Sequence, residues 1–325
     1  MKKSAVFLLF LIIAFLMPYV VISARVGEKV PDTEDVIAVT ALTDGKLDLV
    51  SPSAVLIEGS TGTVIFEKNK DERLKPASVT KVMTLLLIFE ALEEGRIKLM
   101  DDVTISEYAA SMGGSQVYLE PYEVQNVDTL IKCISIASAN DASVAMAEHI
   151  AGSHEEFVAR MNEKAKELGM NNTNFVNCTG LDADNHYTTA YDMALIAREA
   201  LKYDTFREII GTATYIIPPT NLVDEPRYLS HQHRLFNQKA YANSYYEGCI
   251  GGKTGFTNEA SHTLVTYAER NGIELIVVTL KSEKQAMYDD TRNLLDYGFD
   301  HFEMVTILNK KSPVVSVPVV SIIND

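Results

Sequence analysis

The sequence predicts an α+β domain (α/β in the broad sense) in which one antiparallel sheet, assembled from both ends of the chain, is flanked by a central helical cluster. Two observations carry this reading. Strand-like runs lie toward both ends, at 53–57 and 63–66 and again at 263–268 and 273–280. Between 78 and about 202 the apolar residues recur at helical spacing. With 325 residues, 47% of them hydrophobic, the chain can bury a sizeable core between such layers.

The elements follow in order. Met1-Lys2-Lys3, an apolar run from Ala5 to Ile22 and the small pair Ser23-Ala24 have the form of a secretion signal over residues 1–24. The run is also long enough to persist as an anchor on the outer face of the cytoplasmic membrane. Either way the rest of the chain is expected outside the cytoplasm. Residues 25–50, polar with Pro31 and several acids, read as an exposed lead-in. Ser60-Thr61-Gly62 then turns the first two strands into a hairpin. Asn271-Gly272 does the same for the last two. Asp289 to Tyr297 reads as a helix closed by Gly298. Residues 51–303 are therefore expected to form the working domain. Residues 304–325, valine-rich but broken by Pro313 and Pro318, are expected to form a short β-prone extension.

Bulk chemistry excludes some functions. The net charge is -15, and nucleic acid is a poor partner for a chain with no basic face. Cys133, Cys178 and Cys249 are too few for a disulfide scaffold and read as buried thiols.

Three short motifs carry the chemistry. Ser78-Val79-Thr80-Lys81 opens an apolar helix that Gly95 would close. Residues i and i+3 share a helix face, so Lys81 can reach the Ser78 hydroxyl. The helix start also offers free N–H groups for an oxyanion, and apolar surroundings would lower the Lys81 pKa into the range of a base. Ser138-Ala139-Asn140 ends another apolar run. Residues i and i+2 diverge on a continuous helix, so the chain is expected to break there, with Asn140 capping the helix that follows. Gly251-Gly252-Lys253-Thr254-Gly255-Phe256 reads as a glycine-rich edge strand along which an acyl substrate can pair. Lys253 and Thr254 suit a terminal carboxylate, and the Phe256 N–H suits an oxyanion hole shared with that of Ser78. Each motif alone has an ordinary structural explanation. Their conjunction points to acyl transfer through a serine nucleophile.

The longer segments around these motifs, Pro76 to Thr84, Ser138 to Ser143 and Gly252 to Thr257, resemble the serine-type D-alanyl-D-alanine carboxypeptidases, the low-molecular-mass penicillin-binding proteins. So do Gly180-Leu181-Asp182 and His186 to Met193. The resemblance spans roughly residues 50–303. It implies a β-lactamase/transpeptidase-like fold and removal of the terminal D-alanine from peptidoglycan stem pentapeptides. By that route Ser78 is the nucleophile, Lys81 the general base, Ser138 and Asn140 the second catalytic element, and Lys253, Thr254, Gly255 and Phe256 the substrate-binding strand. It also implies covalent capture by β-lactam antibiotics, and it implies neither metal nor organic cofactor. Ala139 and Ser261 stand where such proteins often carry glycine, and the β-rich second domain and amphipathic C-terminal helix common among them have no counterpart in the residues after Phe302.

Three alternatives fit the sequence less well. A class A β-lactamase needs an E-x-x-L-N segment, which is absent; Asp182 and Asp184 lack its pattern. An inactive envelope-binding protein is disfavoured by the intact Ser78, Lys81, Ser138, Asn140 and Lys253. A metal hydrolase has only His231-Gln232-His233, in a polar stretch expected to be a solvated loop. His186 is expected to anchor its loop by hydrogen bonds.

Overall fold

The computed structural model describes residues 36–41 and 47–308, with side chains described between 47 and 303. The expected signal segment and residues 309–325 lie outside them. The chain divides into two units, residues 46–298 and a smaller one drawn from residues 1–45 and 299–325. In the smaller unit β1 (Val36–Ala41) pairs antiparallel with β11 (Phe302–Leu308). The lead-in thus contains a strand, which its polar composition concealed.

In the larger unit, β2 (Ser53–Glu58) and β3 (Val64–Lys68) form the first hairpin. Helix α1 (Lys81–Glu93) follows a 3-10 turn at Ala77–Thr80. Next come β4 (Asp102–Thr104), the single turn α2 (Glu107–Ala110) and β5 (Val124–Asn126), with β4 and β5 paired. Then come α3 (Val127–Ile136), α4 (Asn140–Ala151), α5 (His154–Glu167), α6 (Ala190–Ala200) and α7 (Asp204–Ile210). The ribbon β6 (Thr214–Ile217) and β7 (Arg227–Ser230) leads to β8 (Cys249–Thr257), β9 (Ser261–Arg270), β10 (Ile273–Ser282) and α8 (Ala286–His301).

The main sheet has the order β3-β2-β10-β9-β8, antiparallel throughout. The expected joining of the two chain ends occurs between β2 and β10, from Leu275 opposite Glu58 to Leu280 opposite Ser53. Asn271 and Gly272 both take positive φ, 50° and 79°, the backbone that lets two residues reverse a twisted ribbon. β2 is buried at every position because both faces of the sheet are covered, so it reads as a continuous rather than alternating apolar run. Val55, Ile57, Val265 and Tyr267 join the core shared with the helices. Leu56 and Leu275 lie against α8 on the other face.

That contact corrects the expected end of α8. Gly298 lies inside the helix, not beyond it. A Cβ there would sit 2.5 Å from Leu275 Cδ1, so the glycine permits a close helix–sheet approach.

Helix α1 is buried on nearly every side. A helix apolar all round belongs at the centre of a bundle, and α1 packs against α3–α7. This seats the N-terminal end of α1, with Ser78 just before it, between the helical cluster and β8.

Candidate active site

Ser78 sits in the 3-10 turn, one step earlier than the first turn of α1 where the spacing placed it. Ala77, just before it, holds φ of +51°, a conformation costing about 1–2 kcal/mol for an L residue. Neighbours on two sides enforce it. Thr263 Oγ1 donates to Pro76 O at 2.9 Å. A Cβ on Gly180 would lie 1.9 Å from Ala77 O, and one on Gly255 would lie 2.8 Å from Ser78 N. The two glycines let the 180 loop and β8 close on the Ser78 turn.

Lys81 is fully buried. Its Nζ lies 2.6 Å from Asn140 Oδ1, 2.6 Å from Thr179 O and 3.2 Å from Ser78 Oγ. Burial pushes its pKa down to about 7, against weaker opposing pulls from Cys178 and Asp141. A neutral amine has two N–H donors and one lone pair. The two short contacts are to pure acceptors and use both donors. In that neutral form the lone pair is left for the one partner that can donate, the Ser78 hydroxyl. The orientation of the Asn140 amide is set independently, since Nδ2 donates to Gly113 O at 2.7 Å.

The break in the second motif occurs as its spacing required. Ser138 takes φ of +60° between α3 and α4. Asn140 is not the cap, however: it is the first residue of α4, and its side chain serves Lys81 instead. Its backbone N–H donates to Ser115 O at 2.7 Å. Ser138 and Asn140 do not share one partner. Ser138 Oγ accepts from Lys253 Nζ at 2.9 Å, so each motif residue meets a different lysine.

β8 is the edge strand, as expected. Its glycines are needed for clearance: a Cβ on Gly251 would lie 2.3 Å from Ile210 O, and one on Gly252 would lie 2.1 Å from Val265 O and 2.7 Å from His233 Nε2. Lys253 Nζ also donates to Thr254 O at 2.8 Å. Burial, then the neighbouring Lys81 charge, drives its pKa well down. Ser78, Ser138, Thr254, Gly255 and Phe256 line a cleft of about 400 Å³. Phe256 is exposed and its ring lies against His262 at 4.5 Å.

His231 and His233 contradict the expected solvated loop. Both are buried, with Gln232 outward between them. His233 Nε2 meets Thr266 Oγ1 at 2.9 Å behind β8. The segment is extended, so alternate side chains point inward, and burial lowers both pKa values, His233 to about 3. No group of three or more His, Cys, Asp or Glu among the described residues is placed to hold a metal. His186 is the loop anchor expected: Nδ1 accepts from Val176 N at 3.1 Å, which leaves Nε2–H for Thr80 Oγ1 at 2.9 Å. Cys133 and Cys178 are free and buried, and Cys249 is free and half-buried.

Sequence reasoning missed Thr179, whose contribution is a carbonyl, and Ser115, which carries no motif. It also missed Arg234, whose guanidinium lines the cleft between Tyr241 and Tyr288, 5.9 and 5.3 Å from the ring centres. A lone arginine after a histidine pair gives no pattern to read.

The profile of the D-alanyl-D-alanine carboxypeptidase family, peptidase S11, matches residues 39–284. The chain is 46% identical over 269 residues to the D-alanyl-D-alanine carboxypeptidase DacF of Bacillus subtilis, covering 82% of this chain and 67% of that one. It is 36% identical to DacC of Escherichia coli, covering 78% and 62%. The match thus spans about two thirds of the length of these curated relatives. The crystal structure of penicillin binding protein 5 from Haemophilus influenzae superposes with a TM-score of 0.71 at 30% identity, over 79% of this chain and 73% of that one. The fold is the β-lactamase/transpeptidase-like one of these neighbours.

Proposed function

Because the chain belongs to the D-alanyl-D-alanine carboxypeptidase family, we propose that it releases the terminal D-alanine of peptidoglycan stem pentapeptides through an acyl-enzyme on Ser78. Lys81 takes the hydroxyl proton as Ser78 Oγ attacks the penultimate carbonyl carbon. The oxyanion that forms is held by the backbone N–H groups of Ser78 and Phe256. The C–N bond then breaks, and the D-alanine amine leaves with the proton that Lys81 took from Ser78, passed on through Ser138, which returns Lys81 to its neutral form. Water, deprotonated by the same lysine, releases the shortened peptide and restores Ser78. Lys253 and Thr254 hold the terminal carboxylate. A β-lactam would enter the first half of this cycle and stop at the ester.

The observation that carries the reading is the buried Lys81 amine, its pKa lowered to about 7, with Nζ 3.2 Å from Ser78 Oγ. The N-terminal pattern of residues 1–24 supports action in the cell envelope, outside the cytoplasm. Among the described residues no helix is long and apolar enough to cross a membrane. The test is fluorescent-penicillin labelling beside a Ser78→Ala control, with assay of D-alanine release from a pentapeptide. Persistent serine-dependent label with D-alanine released is expected. Rapid loss of label as hydrolysed penicillin would instead make the protein a β-lactamase, and absence of label would make it an envelope-binding protein.

A further inference from the structure

The segment 113–123 has two sides. Toward the cleft it carries Gly113 and Ser115, whose carbonyls accept from Asn140, and Ser115 lines the cleft itself. Beyond it, the same segment walls a second, shallow cavity of about 260 Å³, lined by Glu107, Ser111, Gln116, Tyr118, Glu120 and Pro121.

Two tyrosines are displayed here against both solvation and backbone preference. Tyr118 is 72% exposed with φ of +56°, and Tyr122 is 60% exposed with φ of +69°. A bulky residue at positive φ is an outlier that persists only when its surroundings over-determine it. They do so here. The Asp141 carboxylate accepts from Val117 N and Leu119 N, and Arg227 donates to the carbonyls of Val117 and Tyr118. Tyr122 N donates to Ile105 O, Asn221 Nδ2 donates to Tyr122 O, and the Tyr122 hydroxyl donates to Glu107 Oε1 at 2.6 Å on the cavity rim. The backbone is therefore fixed at both positions, and the Tyr122 ring by its hydroxyl, so two exposed rings are displayed from a pre-set backbone, which marks an interaction site.

The chemistry of the cavity narrows the occupant. Aromatic faces suit the C–H faces of a sugar ring. The carboxamide of Gln116, the hydroxyl of Ser111 and the carboxylates of Glu107 and Glu120 suit hydroxyl and acetamido groups. The acidic rim and the net charge of -15 disfavour an anionic polymer. We propose that this cavity, with Tyr118 in its wall and Tyr122 bonded to Glu107 beside it, is a subsite for an acetamido sugar of the glycan strand to which the stem peptide is attached. The identity of that strand rests on the carboxypeptidase reading. The site itself rests on the tyrosines, the cavity and its continuity with the cleft wall.

The test is binding of the full chain to immobilised chitin oligosaccharides, uncharged strands of acetamido sugar without stem peptides, with dextran, which lacks acetamido groups, as the reference surface. The wild type should bind the glycan and not dextran, and Tyr118→Ala should weaken that binding about tenfold, the scale of one aromatic anchor. Met100→Ala, which removes a side chain 74% exposed outside the cavity, should bind as wild type does. Equal binding to dextran, no binding by the wild type, or undiminished binding by Tyr118→Ala would each overturn the subsite. Penicillin labelling of the same wild-type sample separates the two readings. Label without glycan binding leaves the carboxypeptidase and removes the subsite; glycan binding without label does the reverse.

Discussion

Lys81 and Lys253 are both buried in the same site, and both have pKa values driven down chiefly by desolvation. Their surroundings differ in one respect. Lys81 finds two oxygens that only accept, Asn140 Oδ1 and Thr179 O, and one hydroxyl that can also donate. Lys253 Nζ donates to the Ser138 hydroxyl and the Thr254 carbonyl, and among the described residues the third N–H of its charged form meets no acceptor. In the proposed function the same residue type therefore serves two roles: Lys81 acts as the base on Ser78, and Lys253 binds the arriving carboxylate. The lesson is that burial lowers both amines, and the partners set around each separate the two proposed roles.

The largest expected effect removes the reference point for both. Ser78→Ala should abolish penicillin labelling and D-alanine release together, and residual label would mean that the acyl group sits elsewhere. Lys81→Ala comes next, with the acylation rate constant for penicillin falling about 10²–10⁴-fold, the usual span for a general base. Acylation near the wild-type rate would assign the base to another group. Asn140→Asp sharpens the comparison without removing the lysine. A carboxylate 2.6 Å from Nζ favours the charged form and should raise the Lys81 pKa by about 1–3 units.

The sign is fixed by the required state. Acylation needs the neutral amine, so the wild-type rate should rise with pH and level off above about 7. In Asn140→Asp the same rise should move to higher pH while the plateau is approached. A pH profile of second-order acylation measures both, and an unmoved midpoint would show that it does not report Lys81. The smallest effect is expected at Lys253. Lys253→Ala should raise KM for the pentapeptide about 10–100-fold and narrow the preference for substrates ending in a free carboxylate over their amides. A loss confined to kcat with that preference intact would place Lys253 in proton transfer instead.

Much of this was readable in one dimension. Residues i and i+3 at 78 and 81, and the conflict between i and i+2 at 138 and 140, follow from helix geometry alone. The joining of the chain ends followed from where apolar runs fell, and the β9–β10 turn from Asn271-Gly272. The errors share a cause. Gly298 looked like a stop because glycine ends helices, but a distant leucine on β10 had claimed its missing Cβ. Asn140 looked like a cap because asparagine caps helices, but a lysine 59 positions earlier had claimed its oxygen. His231 and His233 looked solvated because their neighbours in sequence are polar, but the segment folds behind β8.

The sequence by itself thus determined the inventory and its local geometry: the candidate nucleophile Ser78, Lys81 one helical turn away, the break at Ser138 just before Asn140, and the glycines that clear an edge strand. Only the tertiary structure decided the protonation chemistry. Whether a lysine is a base or a cation depends on the dielectric around it and on the acceptors within about 3 Å. Those acceptors come from Asn140, Thr179 and Ser138, residues distant along the chain that local pattern cannot bring together.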